Sequence, residues 1–301
     1  MLGQHEREPP PSNEWRRRRR LAPAGRYDAG MIVIVRPPGP AFRDAVSTNP
    51  DHVRIDAARA RAQHAAFCAA LEDAGMALLR LPEEPDLADA GFVSDTLVAL
   101  APVLAGGSPA VVVARPTLAS RRPEVDSVLR AALARLPAST SVVRVEDPGT
   151  LEGGDVVVFG DRIAIGLSDR TNLAGARVLA EVAASLGYRP FLCLVTDRLH
   201  LATAVTAARP DTLIGTAAGL ASIDAAGQDA APPGEIHRLM LPDDELPGAN
   251  VLALGGHVFL ASGNPTAARL LRGTGLILHE LELDEFALAD GGPTCLVNVL
   301  P

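Results

Sequence analysis

Pairs of short apolar runs recur along the chain, and a glycine-containing turn separates the two runs of a pair. Two clear turns are Phe159-Gly160-Asp161-Arg162 and Leu254-Gly255-Gly256-His257, and a helical pattern follows each pair after a polar connector. The units recur at intervals of about 50 residues, a spacing at which structural repeats bury their apolar faces against their neighbours. The sequence therefore predicts an α/β fold of strand, strand and helix units closed into a propeller-like ring. An open doubly wound sheet is the alternative.

Hydrophobic periodicity predicts the position of each element. Strands are expected at 32–36, 77–81, 110–114, 141–145, 155–159, 162–166, 190–194, 212–215, 251–254, 257–261 and 276–281. Helices are expected at 54–74, 123–136, 172–186, 202–208 and 265–274. Neither GxGxxG nor GxxxxGK[ST] occurs, so the common nucleotide-binding signatures are missing.

Charge and cysteine content narrow the classes of function. The net charge of −8 argues against a general nucleic-acid surface, because phosphate binding depends on accumulated cations. The three cysteines are Cys68, Cys193 and Cys295, an odd number without CxxC spacing. This pattern predicts neither a disulfide framework nor a thiolate zinc site, and it favours a reducing, cytoplasmic location. No run of about 18 apolar residues is present, so we expect no membrane-spanning helix.

The first 30 residues differ in composition from the rest of the chain. They contain a proline run and five consecutive arginines at 16–20, with almost no apolar periodicity. This composition predicts a disordered segment at 1–30, and a solvated arm is a simpler interpretation than a tail that binds an anionic partner. Because the first strand begins directly at Met31, the natural product could start there. We expect a single α/β domain at 31–301.

The stretch 151–172, LEGGDVVVFGDRIAIGLSDRTN, places charged residues at both ends of an apolar hairpin. Glu152 stands at its start and Arg170 at its end. Burying either charge is costly unless it has a partner, so both side chains pair with protein groups or with a ligand. A glycine-rich turn with a surface arginine is the alternative interpretation.

Four other features of the sequence contain residue types that can take part in catalysis or in ligand binding. Asp89 and Asp95 are six residues apart and would share one face of an extended strand. Arg121 and Arg122 follow a strand and a proline-containing turn, His200 lies between two leucines, and Cys295 follows Gly-Gly-Pro-Thr. A lone histidine between leucines is usually a core residue, and a cysteine near a chain end usually fills the core. Together, however, cysteine, histidine and an acid can perform nucleophilic catalysis. The other carboxylates could bind the cationic end of a zwitterionic guanidine, and the arginines could bind its carboxylate.

Six segments in register resemble the dimethylarginine dimethylaminohydrolases of the guanidino-group-modifying superfamily. They are IDAARARAQH (55–64), DAGFVSD (89–95), ARPTLASRRPEVD (114–126), LEGGDVVVFGDRIAIGLSDRTN (151–172), LHLATA (199–204) and GGPTCLVNVL (291–300). The resemblance covers residues 31–300. It implies a fivefold pseudo-symmetric α/β propeller of ββαβ-type repeats, with the active site along its axis.

The resemblance also implies roles for individual residues. Cys295 corresponds to the nucleophile, His200 to the general acid and base, and Glu152 to the acid that orients the histidine. The implied substrate-binding positions are Asp89, Ser94, Asp95, Arg121, Arg170, Val46 and Ala289, of which Asp95 binds the guanidinium and the two arginines bind a carboxylate. The segment 38–48 corresponds to a lid. The implied substrate is a small guanidino compound, with no metal and no cofactor, and the protein could form a homo-oligomer.

Four residues depart from the family pattern. Ser94 stands where members that act on methylarginines usually carry an acid, Ala202 replaces a basic residue, and Gly292-Pro293 is unusual before the cysteine. We expect the covalent chemistry to be retained despite these changes, but the serine at position 94 leaves the identity of the guanidine substrate open. Hydrolysis of a methylated arginine to citrulline and an alkylamine is the main hypothesis. The alternatives are the same covalent chemistry on another guanidine, as a deiminase, dihydrolase or amidinotransferase, and a non-catalytic binding protein.

Overall fold

The computed structural model describes residues 31–103, 106–196, 198–227 and 236–301. The segment 1–30, predicted to be disordered, lies outside the described residues. Within the described ranges, the strands form five three-stranded sheets. None of the helices in these ranges has the length and apolarity needed to cross a bilayer.

The elements follow one another in a regular order. The strands are β1 (Ile32–Val35), β2 (Ala77–Arg80), β3 (Leu97–Leu100), β4 (Ala110–Val113), β5 (Ser141–Arg144), β6 (Val156–Phe159), β7 (Arg162–Leu167), β8 (Arg189–Leu194), β9 (Val205–Arg209), β10 (Thr212–Thr216), β11 (His237–Leu241), β12 (Leu252–Leu254), β13 (His257–Ala261), β14 (Ile277–Leu281) and β15 (Asn298–Leu300). The α-helices are α1 (Ala57–Asp73), α2 (Val125–Leu133), α3 (Leu173–Ser185), α4 (Ala217–Gly227), α5 (Pro265–Arg272) and α6 (Asp284–Ala287).

All five sheets share one topology. In each, the central strand is antiparallel to one neighbour and parallel to the other, as β4 is to β3 and β5, and a helix precedes the parallel strand. The first sheet obtains its antiparallel strand from the other end of the chain, because β15 pairs with β1 in the register Val33 to Val299. The fold is therefore a set of five ββαβ repeats in which the last strand completes the first sheet.

Core packing joins the five sheets into a ring. The buried apolar residues fall into five clusters, and each cluster contains residues of two successive sheets and of at least one helix. One cluster joins the fifth sheet to the first, with Phe259 of β13 packed against Phe67 of α1 at a ring distance of 6.1 Å. Burial of a side chain of this size contributes about 1.5–3 kcal/mol. The propeller predicted from the repeats is confirmed, and the open sheet is wrong.

Local signals in the sequence set several boundaries. Helix α1 begins after Asp56, whose carboxylate accepts from the backbone N–H groups of Ala58 and Arg59. The predicted hairpin turn after β6 is present, and Gly160 at its tip has a φ of 59°, which favours glycine. The predicted helix at 202–208 is wrong. This stretch forms a short 3-10 turn followed by β9, because pairing with β10 outweighs the helical preference of its alanines.

Candidate active site

A pocket at one end of the ring is lined by connectors rather than by strands. Its lining residues are Val46, Asp89, Phe92, Asp95, Arg121, Glu152, Arg170, Leu199, His200, Ala289, Asp290, Gly291 and Cys295. Every member of the predicted site except Ser94 is among them. The structure thus brings together residues that are up to about 250 positions apart in the chain.

The hairpin of β6 and β7 brings its two charged ends together. The backbone N–H of Glu152, before β6, donates to the hydroxyl of Thr171, after β7, at 3.1 Å. The Glu152 side chain is fully buried, and its Oε1 lies 3.9 Å from Arg170 Nη1, too far for a hydrogen bond. The predicted doubling back of the hairpin therefore places an acid and a weakly paired cation on the same pocket.

The two glycines after Glu152 are required by close approaches. A Cβ at Gly154 would lie 2.6 Å from His200 Nδ1, and a Cβ at Gly153 would collide with the carbonyl oxygen of Ser94. The backbone N–H of Gly154 donates to Asp95 Oδ1 at 2.8 Å. Because no side chain intervenes, the backbone of the turn touches both the imidazole and the carboxylate.

His200 is almost completely buried among acids. Its Nε2 lies 2.9 Å from Glu152 Oε2, and the next residue, Leu201, donates its N–H to Asp155 Oδ1 at 3.0 Å. Burial by itself would lower the pKa of His200, but the negative charges of Asp95, Glu152 and Asp155 outweigh it and raise the pKa to about 9. The imidazole is therefore protonated at neutral pH and can donate a proton.

Cys295 lies in a 3-10 turn, Pro293–Leu296, that faces the pocket. Burial, reinforced by the negative charge of Asp95, raises the pKa of its thiol to about 11. Two weak donors face the sulfur, the backbone N–H of Gly292 at 3.4 Å and Asn250 Nδ2 at 3.7 Å. The unliganded site thus holds a neutral thiol whose thiolate would be partly stabilised by donors already in place.

Asp95 and Arg121 form a buried ion pair in the pocket, with Arg121 Nη1 at 2.8 Å from Asp95 Oδ2. Arg121 also pairs with Glu124 at 3.1 Å and lies 3.7 Å from Glu152. Burial would raise the pKa of Asp95, but the positive charges of His200 and Arg121 prevail and lower it. Asp95 is therefore ionised, and Arg121, predicted to bind a substrate carboxylate, has its charge engaged by protein acids.

The segment that carries Asp89 and Asp95 is not the extended strand that the sequence analysis considered. It consists of turns and a 3-10 helix, Val93–Thr96, and both acids still face the pocket. The carbonyls of Asp89 and Phe92 accept from Arg121 Nη2 at 3.5 and 3.3 Å, so Arg121 also fixes this backbone. Asp89 accepts a hydrogen bond from the Val46 N–H at 3.2 Å, which connects it to the predicted lid.

Ser94 faces a different space from the other predicted site residues. It lines a cavity of about 240 Å³ together with Gly153, Gly154, Ala202 and Thr294 and with residues of the strands β3, β6, β9, β12 and β15. The Ser94 hydroxyl is buried and has no hydrogen-bond partner. The contact of Ser94 with the substrate stays a prediction, and Ser94 does not line the pocket that contains Asp95.

The site offers one set of potential metal ligands among the described residues. Ligand atoms of Asp95, Glu152 and His200 lie within 4.8 Å of one another. The Arg121 guanidinium contacts both carboxylates, and His200 already uses Nε2 for Glu152. A divalent cation would have to displace these interactions, so the donor set suits an organic cation better than a metal.

Three residues of the site were given no role by the sequence analysis. Asp155 is fully buried and supports the histidine loop, with a further hydrogen bond from Ser168 Oγ at 2.6 Å. Asn250 accepts from the backbone N–H of Thr294 at 3.0 Å and so supports the cysteine turn. Asp290 lines the pocket five residues before Cys295. Asp155 belongs to the recognisable GGD turn, whereas no sequence signal distinguishes Asn250 or Asp290.

Comparison with known proteins finds similar sequences and similar folds. No protein-family model matches the chain. The chain is 34% identical over 270 residues to the N(G),N(G)-dimethylarginine dimethylaminohydrolase of Streptomyces coelicolor, a match that covers 87% of this chain and 94% of the relative.

Two solved structures share the fold. The first is the dimethylarginine dimethylaminohydrolase of Pseudomonas aeruginosa, a cysteine-to-serine mutant in complex with citrulline, with a TM-score of 0.80 and 24% identity over 91% of this chain and 98% of that one. The second is the N-terminal domain of ArgZ, a cyanobacterial arginine dihydrolase, with a TM-score of 0.73 and 17% identity over 90% of this chain and 98% of that one. The identity and coverage of the Streptomyces relative decide the assignment: the chain belongs to the dimethylarginine dimethylaminohydrolase family.

Proposed function

We propose that the protein hydrolyses an Nω-methylated arginine to citrulline and an alkylamine. The observation that carries the proposal is the placement of Cys295, His200, Glu152 and Asp95 around one pocket, with Arg170 at its rim. Membership of the family supports this substrate class, since the Streptomyces relative bears the name of a dimethylarginine hydrolase.

The ionised acids can orient the substrate. Asp95 carries its charge through its lowered pKa, and with Glu152 it can accept hydrogen bonds from a planar guanidinium. Fixing the guanidinium plane beside the sulfur places the central carbon for attack, which converts a bimolecular reaction into a local one. Arg170, which makes no close ion pair with Glu152, can bind the substrate carboxylate.

The reaction then takes two steps on the sulfur. Binding of the guanidinium lowers the pKa of the Cys295 thiol, which loses its proton to solvent, and the thiolate attacks the guanidinium carbon. The bond from that carbon to the alkylated nitrogen breaks, and His200 gives its proton to the departing amine. In the second step His200 takes a proton from water, the hydroxide adds to the S-alkylthiouronium carbon, and the carbon–sulfur bond breaks. The hydroxyl proton of the adduct passes to the departing sulfur, so citrulline leaves with the water oxygen and the Cys295 thiol is regenerated.

Arginine deimination or dihydrolysis is the second candidate, favoured by the shared fold of the ArgZ domain. It requires the same thiolate attack but takes an unsubstituted guanidine. A lower sequence identity makes this candidate weaker than the first.

Product analysis tests the proposal directly. The purified protein is incubated with asymmetric dimethylarginine, monomethylarginine, arginine and agmatine, and citrulline and the released amine are measured. We expect citrulline and dimethylamine in equal amounts from dimethylarginine, and a much smaller kcat/KM for arginine. Ammonia release from arginine at the higher kcat/KM would replace the proposal with deimination.

A cytoplasmic location is part of the proposal. Cys68, Cys193 and Cys295 are all free thiols in the structure, which suits a reducing compartment. Assembly into a homo-oligomer stays a prediction from the sequence, and light scattering of the purified protein tests it.

A further inference from the structure

Asp290 has an unusual backbone conformation beside the nucleophile. Its φ is 56°, and among the described residues other than glycine it alone has a positive φ. Aspartate tolerates the left-handed region better than most residues, but it still needs support from its surroundings to stay there. Asp290 lines the pocket together with its neighbours Ala289 and Gly291. We therefore expect contacts of the Asp290 carboxylate to stabilise this backbone conformation.

Three donors of the predicted lid converge on one oxygen of this carboxylate. Asp290 Oδ2 accepts from the Thr48 backbone N–H at 2.6 Å, from Thr48 Oγ1 at 2.9 Å and from Ser47 Oγ at 2.9 Å. The Ser47 hydroxyl also lies 2.9 Å from the carbonyl oxygen of Leu288, so its single proton has two acceptors. Hydrogen bonds to an ionised carboxylate are stronger than those between neutral groups. A short surface segment is thus held by charge-assisted bonds to a residue about 240 positions further along the chain.

These bonds join two walls of the pocket. Val46, next to Ser47, lines the pocket and donates its N–H to Asp89 at 3.2 Å, while the Asp290 loop leads to Cys295. The cavity between the walls is small, because its volume of about 20 Å³ corresponds to the room needed by one or two water molecules. A substrate can enter only if the walls part, and parting them at Ser47 and Thr48 breaks the bonds to Asp290.

We infer that Asp290 is a positioning residue that latches the lid segment 38–48 over the pocket and so controls access to Cys295. The inference rests on the proposed function for its kinetic consequences, but the latch itself is a property of the unliganded protein. Asp290 acts through the lid and holds Val46 against Asp89. Loss of the latch should open the pocket more often and weaken retention of the substrate.

Access to the thiol can be measured without any turnover. The rate of Cys295 carbamidomethylation by iodoacetamide is followed by mass spectrometry for wild type and for two variants. Asp290→Asn removes the charge and keeps a residue that tolerates the left-handed backbone. Ser47→Ala/Thr48→Val removes both lid hydroxyls and leaves every charge in place. Both variants should be alkylated about tenfold faster than wild type.

A double-mutant comparison separates the latch from other effects. Because Asp290→Asn also changes the charge near the thiol, the lid-side variant is the decisive one. Combining the two changes should add little to either alone, since both break the same interaction. Asp284→Asn is the matched control, because this acid of the same chain segment pairs with Arg59 and does not line the pocket. It should be alkylated at the wild-type rate.

Steady-state kinetics complete the test. Both latch variants should raise KM for dimethylarginine about tenfold, with kcat unchanged or increased. Wild-type alkylation of the lid-side variant, or full additivity in the double variant, would overturn the latch. If no guanidine is turned over by the wild-type protein, the proposed function fails while faster alkylation of the variants still supports the latch.

Discussion

Two spaces near the centre of the ring differ in what builds them. The catalytic pocket is lined by connectors and carries acids, arginines and the histidine, whereas the larger cavity is lined mainly by apolar residues of five strands, one from each sheet. Neighbouring residues in the chain divide between the two spaces: Asp95 faces the pocket and Ser94 the cavity, and Cys295 faces the pocket and Thr294 the cavity. The wall between them is therefore about one residue thick.

This difference explains how one ring of sheets can be stably folded and also hold a charged, reactive site. The strands form the packed core, and the ends of the strands fix the positions of the connectors. Isolated connectors could not bury so many charged side chains. Burial of carboxylates without partners would be costly, but here Arg121 and His200 neutralise them. Changes on the pocket side should therefore reduce activity, and changes on the cavity side should affect it little.

The largest effect is expected at the nucleophile. Cys295→Ser should lower kcat by about three orders of magnitude or more, because a serine hydroxyl in this site has no base that makes it a comparable nucleophile. Citrulline formation is the measurement, and thermal unfolding should be close to wild type. Cys193→Ala, at a buried thiol outside the pocket, is the matched control and should retain turnover. Full activity of Cys295→Ser would show that Cys295 is not the nucleophile.

The next effect concerns the partner of His200. Glu152→Gln keeps the shape of the side chain but removes one of the charges that raise the pKa of His200, and kcat should fall roughly 10²–10⁴-fold. Rescue of the rate by Glu152→Asp would be partial, since the shorter side chain lengthens the 2.9 Å contact. An unchanged kcat for Glu152→Gln would show that the acid does not act through the histidine.

The same variant should change how stability depends on pH. The pKa of His200 is raised in the folded protein to about 9 from its ordinary value of 6.5, so its stabilising contribution is complete below pH 6.5. That contribution is lost as the pH rises through about 9. The free energy of unfolding of wild type should therefore fall over this range, and that of Glu152→Gln should fall less. Urea unfolding at pH 6.5, 8 and 9.5 measures the difference, and parallel curves would contradict it.

A smaller effect is expected at the rim of the pocket. Arg170→Ala should raise KM for dimethylarginine about 10–100-fold with little change in kcat, because a charge-assisted contact to the substrate carboxylate contributes to binding throughout the reaction. Agmatine lacks that carboxylate, so any turnover of agmatine should be the same in wild type and variant. A proportionate loss with agmatine would mean that Arg170 acts on the guanidinium end through Glu152.

The sequence predicts much of this site because chemistry limits the residue types. Charged residues at the ends of an apolar hairpin needed partners, and Glu152 and Arg170 do share the pocket. The requirement for the glycines after Glu152 was not predicted, because it depends on close approaches to Ser94 and His200, which are distant in the chain. The helix predicted at 202–208 was wrong because alanine preferences are weak and strand pairing with β10 decides the conformation. Asp290 and Asn250 carried no signal, since their roles depend on contacts with distant connectors.

The smallest effect tests the cavity side at Ser94. Ser94 lines the cavity and its hydroxyl is buried without a hydrogen-bond partner, so Ser94→Ala should leave kcat/KM for dimethylarginine within about twofold of wild type. Ser94→Glu would place a carboxylate in a largely apolar cavity and should lower the free energy of unfolding by about 2 kcal/mol. Adding Ala202→Arg, on the same cavity, should recover part of that loss by pairing the two charges. A tenfold loss of kcat/KM in Ser94→Ala would instead show that the one-residue wall transmits the identity of residue 94 to Asp95, and the two spaces would then have to be treated as one site.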